Sequence, residues 1–438
     1  MSSRRSFLST ATQATVFYLA GRRPRLKAAT SVNDQVGIGF IGSGIRGTQL
    51  INEFRAVSGL RFLALSDVYD GCLARAKEQI SPELRTSKDY RSVLDSKDID
   101  AVVIATPDHW HKRMVLDALS AGKHVYIEKP LTWSIDEGEE IMKAEKASGK
   151  VVQVGSQHKT SALTAKAREI IKSGQLGKVT MVRMANHRNN AQGAWKYEIP
   201  PDASATTIDW KAFLGPRAER PFDARTFFQW RCWWEFSGGV ATDLFVHLLT
   251  WLHEVMDVKA PVSAVSQGGL YFWKDGRDVP DVMNTIFEYE EGFVADMYVH
   301  LANSAPSQGN VIMGTKGTLI EERGSKLVLI PEPADLNVQA YGTLQWPKAA
   351  RAAYFEAKGY TADGRPKTRP APRPEPEEIA VAQGPTHADH FILSIRNKKP
   401  SRETAAEGHL AAGAAHIANQ AYRQARKVRW DWRTNTVS

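Results

Sequence analysis

From Val36 onward, short and continuously apolar runs alternate with segments whose apolar residues recur three or four positions apart. "VGIGFIG" leads into "TQLINEF", where Leu50, Ile51 and Phe54 fall on one helical face. "LRFLALSD", "DAVVIATP", "HVYIEKP" and "VVQVGSQ" read as further strands, with helices predicted over residues 112–121 and 135–147. Runs of Val and Ile without polar alternation, separated by helices, predict a parallel, doubly wound sheet buried on both faces. After Gln157 the texture changes. "GKVTMVRMANHR" reads as a strand, and an irregular stretch follows through Trp195, Trp210, Trp230, Trp233 and Trp234. In "SGGVATDLFVHLLTWLHEVM", Leu244, Leu248, Leu252 and Val255 form a buried helical face opposite a polar stripe of Asp243, His247, Thr250 and Glu254. Four alternating stretches between Pro261 and Pro331, broken by Gly-containing turns, predict a predominantly antiparallel sheet. Arg365–Glu378 is Pro-rich and charged and reads as a surface loop, and "HADHFILSIRN" and "AAEGHLAAGAAHIANQAYRQAR" read as closing helices.

The length of 438 residues implies two domains, divided here at 34–156 and 157–438. With 42% hydrophobic and 24% charged residues the composition is that of a soluble globular protein. No stretch reaches the roughly 18 uncharged apolar residues of a membrane span. The net charge of +9 raises nucleic-acid binding, but residues 1–30 hold six Arg and Lys and no acid, which leaves +9 − 6 = +3 elsewhere. With no basic stripe among aromatics, no nucleic-acid partner is expected. Residues 1–33 read instead as an address and linker. "SRRSFLS" (Ser3–Ser9) resembles a twin-arginine export signal, followed by a weakly apolar stretch and small residues suited to cleavage; the other reading is a disordered basic tail. The export reading places the protein in the periplasm or outside the cell, carried there folded by the twin-arginine machinery. Cys72 and Cys232 permit one disulfide and do not decide the compartment.

Chemistry enters at the first turn. Gly42, Gly44 and Gly47 form G-x-G-x-x-G between strand and helix, with Ile45 and Arg46 inside it. The first glycine permits a tight turn, the second lets a pyrophosphate approach the backbone, and the third lets helix pack on strand. Asp67, twenty residues after Gly47 at the end of the next strand, is placed to accept from an adenosine ribose. The residues behind it, Val68, Tyr69 and Asp70, include no cation for a 2′-phosphate, so NAD is favoured over NADP. The domain is therefore read as a Rossmann domain. "TPDHWH" and "EKP" fall at carboxyl ends of strands, where ligands bind in such sheets, and add Thr106, Pro107, His109, His111, Glu128, Lys129 and Gln157 as cofactor-side candidates. His109 and His111 also have the look of metal ligands, but no carboxylate cluster follows them and no metal is expected. Asp243 and His247 lie one helical turn apart, and spacing alone allows either a functional pair or a solvated stripe.

The glycine fingerprint, the EKP lysine and the downstream G-G-x-x-x-D-x-x-x-H helix together resemble the Gfo/Idh/MocA family, from about Val36 to Arg426. The resemblance implies a Rossmann domain followed by an α/β domain with an open, mostly antiparallel sheet that could serve as a dimer face. It also implies NAD(P)-dependent oxidation of a sugar or cyclitol. In that scheme Lys129 hydrogen-bonds the substrate hydroxyl, His247 is the general base and Asp243 orients the pair. The chain departs from the family pattern at Phe245, where a glycine often lies between the Asp and the His, and at Ser237, where a third glycine is usual. A phenylalanine there would fill part of the sugar pocket or change the helix's approach. For an exported protein without a nucleotide pool, the nucleotide is expected to be tightly held. An oxidoreductase heads the readings, ahead of a redox-neutral glycosidase or epimerase using transient oxidation, and ahead of a non-catalytic sugar-binding protein on the same scaffold.

Overall fold

The computed structural model describes residues 35–438 apart from 191–192, 306–308, 323, 334–340, 366 and 368–373. The export segment and part of the Pro-rich loop lie outside the described residues. Strands β1 (Val36–Ile41), β2 (Leu60–Ser66), β3 (Arg85–Ser87), β4 (Ala101–Ile104), β5 (His124–Glu128) and β6 (Val152–Gly155) form one sheet in the order β3-β2-β1-β4-β5-β6. All its pairings are parallel. Every residue of β1, β4 and β6 is buried, which is why these strands read as unbroken apolar runs. The strand order reverses between β1 and β4, so the connections leaving those two strands diverge and open a crevice at their carboxyl ends.

Part of this domain's core comes from far along the chain. Ala388, Phe391 and Ile392 of the helix His387–Asn397 pack with Phe40, Phe54 and Tyr126, and the Phe391 ring lies 6.1 Å from Phe54 and 5.8 Å from Tyr126. The linear division at 157 therefore does not separate the two cores: a helix beyond it belongs to the first.

The second sheet holds β7 (Val179–Ala185), β8 (Ser263–Gly269), β9 (Val282–Tyr289), β10 (Phe293–His300), β11 (Asn310–Gly314), β12 (Gly317–Glu322), β13 (Lys326–Pro331), β14 (Glu377–Ile379), β15 (Val428–Asp431) and β16 (Thr436–Val437). Its order is β14-β13-β12-β11-β7-β10-β9-β8-β15-β16, and it is antiparallel except where β7 lies parallel to β10. The end of the expected surface loop is the short edge strand β14, and the C-terminal hairpin β15–β16 extends the opposite edge. One face carries the helices Val246–Met256 and Ala405–Gln424. The other is open and exposes Val265, Ile286 and Val294 between polar positions. No helix of the described residues is long and apolar enough to cross a membrane.

Candidate active site

The crevice is a cavity of about 1410 Å³ that begins at the glycine turn and ends between the two domains. Single small-molecule pockets span roughly 300–1,000 Å³, so this one has room for a dinucleotide and a second ligand. Each glycine of the turn has its own physical reason. Gly42 has φ +88°, and a Cβ there would lie 2.5 Å from the Ala105 carbonyl oxygen. A Cβ on Gly47 would lie 2.3 Å from the Gly42 carbonyl oxygen, so helix and strand could not pack. A Cβ on Gly44 would meet nothing within 4 Å, which leaves open space where a pyrophosphate needs the backbone. Gly44 caps the helix Ile45–Arg55 with no side-chain bond, leaving first-turn N–H groups for an anion. At the same end the Asp67 carboxylate accepts from Ser43 N at 2.7 Å and Tyr69 N at 3.0 Å, which fixes its orientation in the cavity wall. The residues present fit a nicotinamide dinucleotide.

A segment of the second domain covers this end. Between residues 197 and 236 it donates Asp209 N to the Val68 carbonyl at 2.8 Å and accepts from Asp70 N at the Thr207 carbonyl at 3.0 Å. Tyr69 Oη donates to Asp202 at 2.5 Å, and Phe228 sets its ring against Tyr69 at 5.5 Å. Val68 packs into an aromatic cluster of Phe213, Phe236, Phe227 and Trp230. Pro200, Phe213 and Phe228 face the same cavity as Asp67.

At the far end, β5 delivers Glu128 and Lys129. Glu128 accepts from Arg46 Nε at 2.7 Å and Gln157 Nε2 at 3.2 Å, so the glycine turn, the EKP turn and the end of β6 are tied together. Lys129 Nζ donates to Asp243 Oδ1 at 2.8 Å and to the Asp243 carbonyl at 2.9 Å. An ammonium has three donors, which leaves one for a ligand in the cavity. Asp243 also accepts from Arg231 Nε at 3.1 Å on Oδ1 and from Trp195 Nε1 at 3.1 Å on Oδ2. Burial opposes its charge, but Lys129, Arg231 and Arg188 outweigh it and hold the carboxyl well below the usual range.

The polar stripe is not solvated: Asp243 and Thr250 are buried. Nor do Asp243 and His247 pair. Residues Ala241–Phe245 form a π-helical turn ahead of the α-helix Val246–Met256. Such a turn bonds i to i+5 and breaks the i,i+4 alignment. Asp243 therefore orients Lys129, while His247 lines the cavity with its Nδ1 lacking a partner among the described residues. Burial, then Lys129 and His158, push His247 well below its ordinary value, so the ring is neutral at neutral pH.

Ile45, Arg46, Thr106, Pro107 and Gln157 also line the cavity, but His109 and His111 lie behind its wall. His109 Nε2 is 2.9 Å from the Phe213 carbonyl. His111 sits between the two turns, with Nδ1 2.6 Å from Pro130 O and Nε2 3.0 Å from Thr106 O, and its single N–H in the neutral ring donates to one of them. Neither ring lines the cavity, and each has a ring nitrogen on a backbone carbonyl, which sets both apart from the cofactor-side candidates that do line it. Among the described residues no group of three or more His, Cys, Asp or Glu is placed to hold a metal ion. Phe245 and Ser237 are buried, Phe245 in the second core, and Phe245 fills none of the pocket.

Sequence reasoning passed over Asp108 and Arg231 and assigned no role to Trp195. An arginine inside "WRCWW" needs a buried carboxylate, which was the available signal for Arg231. Trp195 adopts φ +67°, rare for a bulky residue, and this places its N–H on Asp243. No sequence signal anticipates that.

Family models match the chain over residues 36–156, as an oxidoreductase family's NAD-binding Rossmann fold, and over 168–430, as the C-terminal alpha/beta domain of the same family. An inositol 2-dehydrogenase from Rhodococcus erythropolis is 37% identical over 190 residues, 42% of this chain and 54% of that protein. A glycosyl hydrolase family 109 protein from Shewanella baltica is 32% identical over 159 residues, 31% of this chain and 35% of the relative. The chain thus spans about half the length of the dehydrogenases it matches and a smaller share of the hydrolase. In fold, a levoglucosan dehydrogenase in complex with NADH and levoglucosan superposes with TM-score 0.65 at 17% identity, covering 90% of this chain and 99% of that one.

Proposed function

The chain belongs to the Gfo/Idh/MocA oxidoreductase family, and from that premise we propose that it is an NAD-dependent oxidoreductase that oxidises a CH–OH group of a sugar, sugar derivative or cyclitol, with the nucleotide held tightly. One observation carries this reading. An ammonium fixed by an inter-domain carboxylate faces the same cavity as a neutral histidine. His247 takes the hydroxyl proton on a ring nitrogen, and the remaining Lys129 N–H donates to the oxygen as negative charge grows there. Asp243 holds the ammonium in place. Bound NAD would supply the hydride acceptor. The relatives named for inositol and levoglucosan support a polyhydroxylated ring as substrate. The twin-arginine motif at Ser3–Ser9 supports export of the folded protein to the periplasm. The glycosyl hydrolase relative and the covering segment 197–236 favour transient oxidation without net redox change as the second reading.

Denaturing protein purified from a periplasmic fraction is expected to release stoichiometric NAD or NADH, identified by mass and absorbance; release of NADP, or no nucleotide bound or taken up, refutes the proposal. In His247→Asn, hydride transfer is expected to fall by about 10²–10⁴-fold with nucleotide retained. Because the folded His247 stays neutral below the usual histidine range, wild-type kcat/KM should hold through mildly acidic pH and fall only beyond it. A limb centred on an ordinary histidine value would count against His247 as the base.

A further inference from the structure

Oxidation as derived above uses one base, one ammonium and the carboxylate that holds it. A second carboxylate in the cavity is left without a task. β4 and β5 are parallel neighbours with Ile104 opposite Ile127. Asp108 lies four residues beyond Ile104 and Lys129 two beyond Ile127, so both emerge at one edge of the sheet and line one cavity. Asp108 is 4% exposed, and Gly238 N–H donates to it from the second domain. The charged groups acting on it are Lys129, Arg231 and Asp243. Burial pushes its carboxyl up, Lys129 and Arg231 oppose this, Asp243 adds to it, and the result is about 7. Such a group binds and releases protons under working conditions, as a general acid or base must.

We propose that Asp108 is a second proton-carrying catalytic residue, which takes the hydrogen from the carbon beside the newly formed ketone so that the site exchanges that hydrogen with solvent. The inference rests on the CH–OH oxidation reading for its ketone. In the step, the α C–H bond breaks and its proton goes to an Asp108 carboxylate oxygen. The electron pair becomes the C=C bond of an enolate, and the carbonyl π pair moves to oxygen, where the Lys129 ammonium donates a hydrogen bond. No electrons leave the substrate, so no oxidant is consumed. Return of a proton to the same face restores the ketone, return to the opposite face inverts the carbon, and loss of a β-substituent completes an elimination. The ligand class is a cyclic polyhydroxy ketone with a hydrogen on the adjacent carbon.

The probe is a keto-cyclitol, the oxidised form of inositol, incubated with the full protein in D₂O with and without added NAD. Deuterium uptake is read by mass spectrometry, and hydride transfer from inositol is followed separately by nicotinamide absorbance. Wild type is expected to exchange above the buffer rate. Asp108→Asn, whose amide oxygen can still accept from Gly238, should lose at least about 100-fold in exchange, while hydride transfer falls by less than about tenfold. Asp108→Glu should restore part of the exchange. In the infrared, wild type should show a protonated-carboxyl band that titrates near neutrality and is missing in Asp108→Asn, a readout that needs no turnover. Equal exchange in wild type and Asp108→Asn, or none in wild type, overturns the proposal. Exchange that depends on Asp108 without hydride transfer from any sugar or cyclitol would support Asp108's role and overturn the oxidation reading instead.

Discussion

Replacing Lys129 with methionine is expected to lower single-turnover hydride transfer by about 10²–10³-fold, the usual loss when one preorganised donor to a developing oxyanion is removed. Methionine keeps much of the stem's packing and deletes the ammonium. Asp243 retains Arg231 and Trp195 as donors, so its carboxylate is not stranded and the protein should fold. Nucleotide content should stay near wild type, because Glu128 and not Lys129 accepts from Arg46. The measurement is nicotinamide absorbance after mixing with saturating substrate, alongside the nucleotide released on denaturation. A rate within about tenfold of wild type would remove Lys129 from the chemistry.

Asp243→Ala should have the larger effect on stability. It deletes the acceptor for Lys129, Arg231 and Trp195 at once and leaves two cations in a site from which water is largely excluded. Breaking a buried ion pair from one side costs about 3–5 kcal/mol. The Lys129 and Asp243 side chains are each only 10% exposed, so little solvent screening offsets that cost. Thermal melting should drop by several degrees and hydride transfer should fall at least as far as in Lys129→Met. Asp243→Asn, which can still accept from Lys129, should recover part of the stability and little of the rate. Equal melting points for wild type and Asp243→Ala would show that the inter-domain pair does not hold the site together.

The first domain was legible because its information is local. Each strand is a continuous apolar run, each helix has its stripe, and Gly42, Gly44 and Gly47 each meet a different constraint in the structure. What escaped depends on contacts distant in sequence. Phe391 joins the core of Phe54 and Tyr126, and nothing near Phe391 says which domain it serves. The parallel pairing of β7 with β10 joins segments more than a hundred residues apart. At the site, helical periodicity correctly gave Leu244, Leu248, Leu252 and Val255 as a buried face. It left the relation of Asp243 to His247 open, because the π-helical turn that sets it leaves no mark on an apolar pattern. In "TPDHWH" the eye goes to two histidines, yet both lie behind the cavity wall and the aspartate between them and the strand faces the cavity.

The segment that bridges Asp202, Thr207 and Asp209 to residues 68–70 spans two domains beside a single cavity. A dinucleotide in that cavity would touch both walls, so its binding free energy and the docking free energy of the domains are thermodynamically linked. Any ligand that prefers the docked arrangement stabilises it by mass action. By reciprocity, every contact that favours docking tightens the ligand by the same factor. Affinity for the nucleotide is then a property of the whole interface, and a substitution at Asp202, remote from the reacting carbon, would register as a change in how long the protein keeps its cofactor.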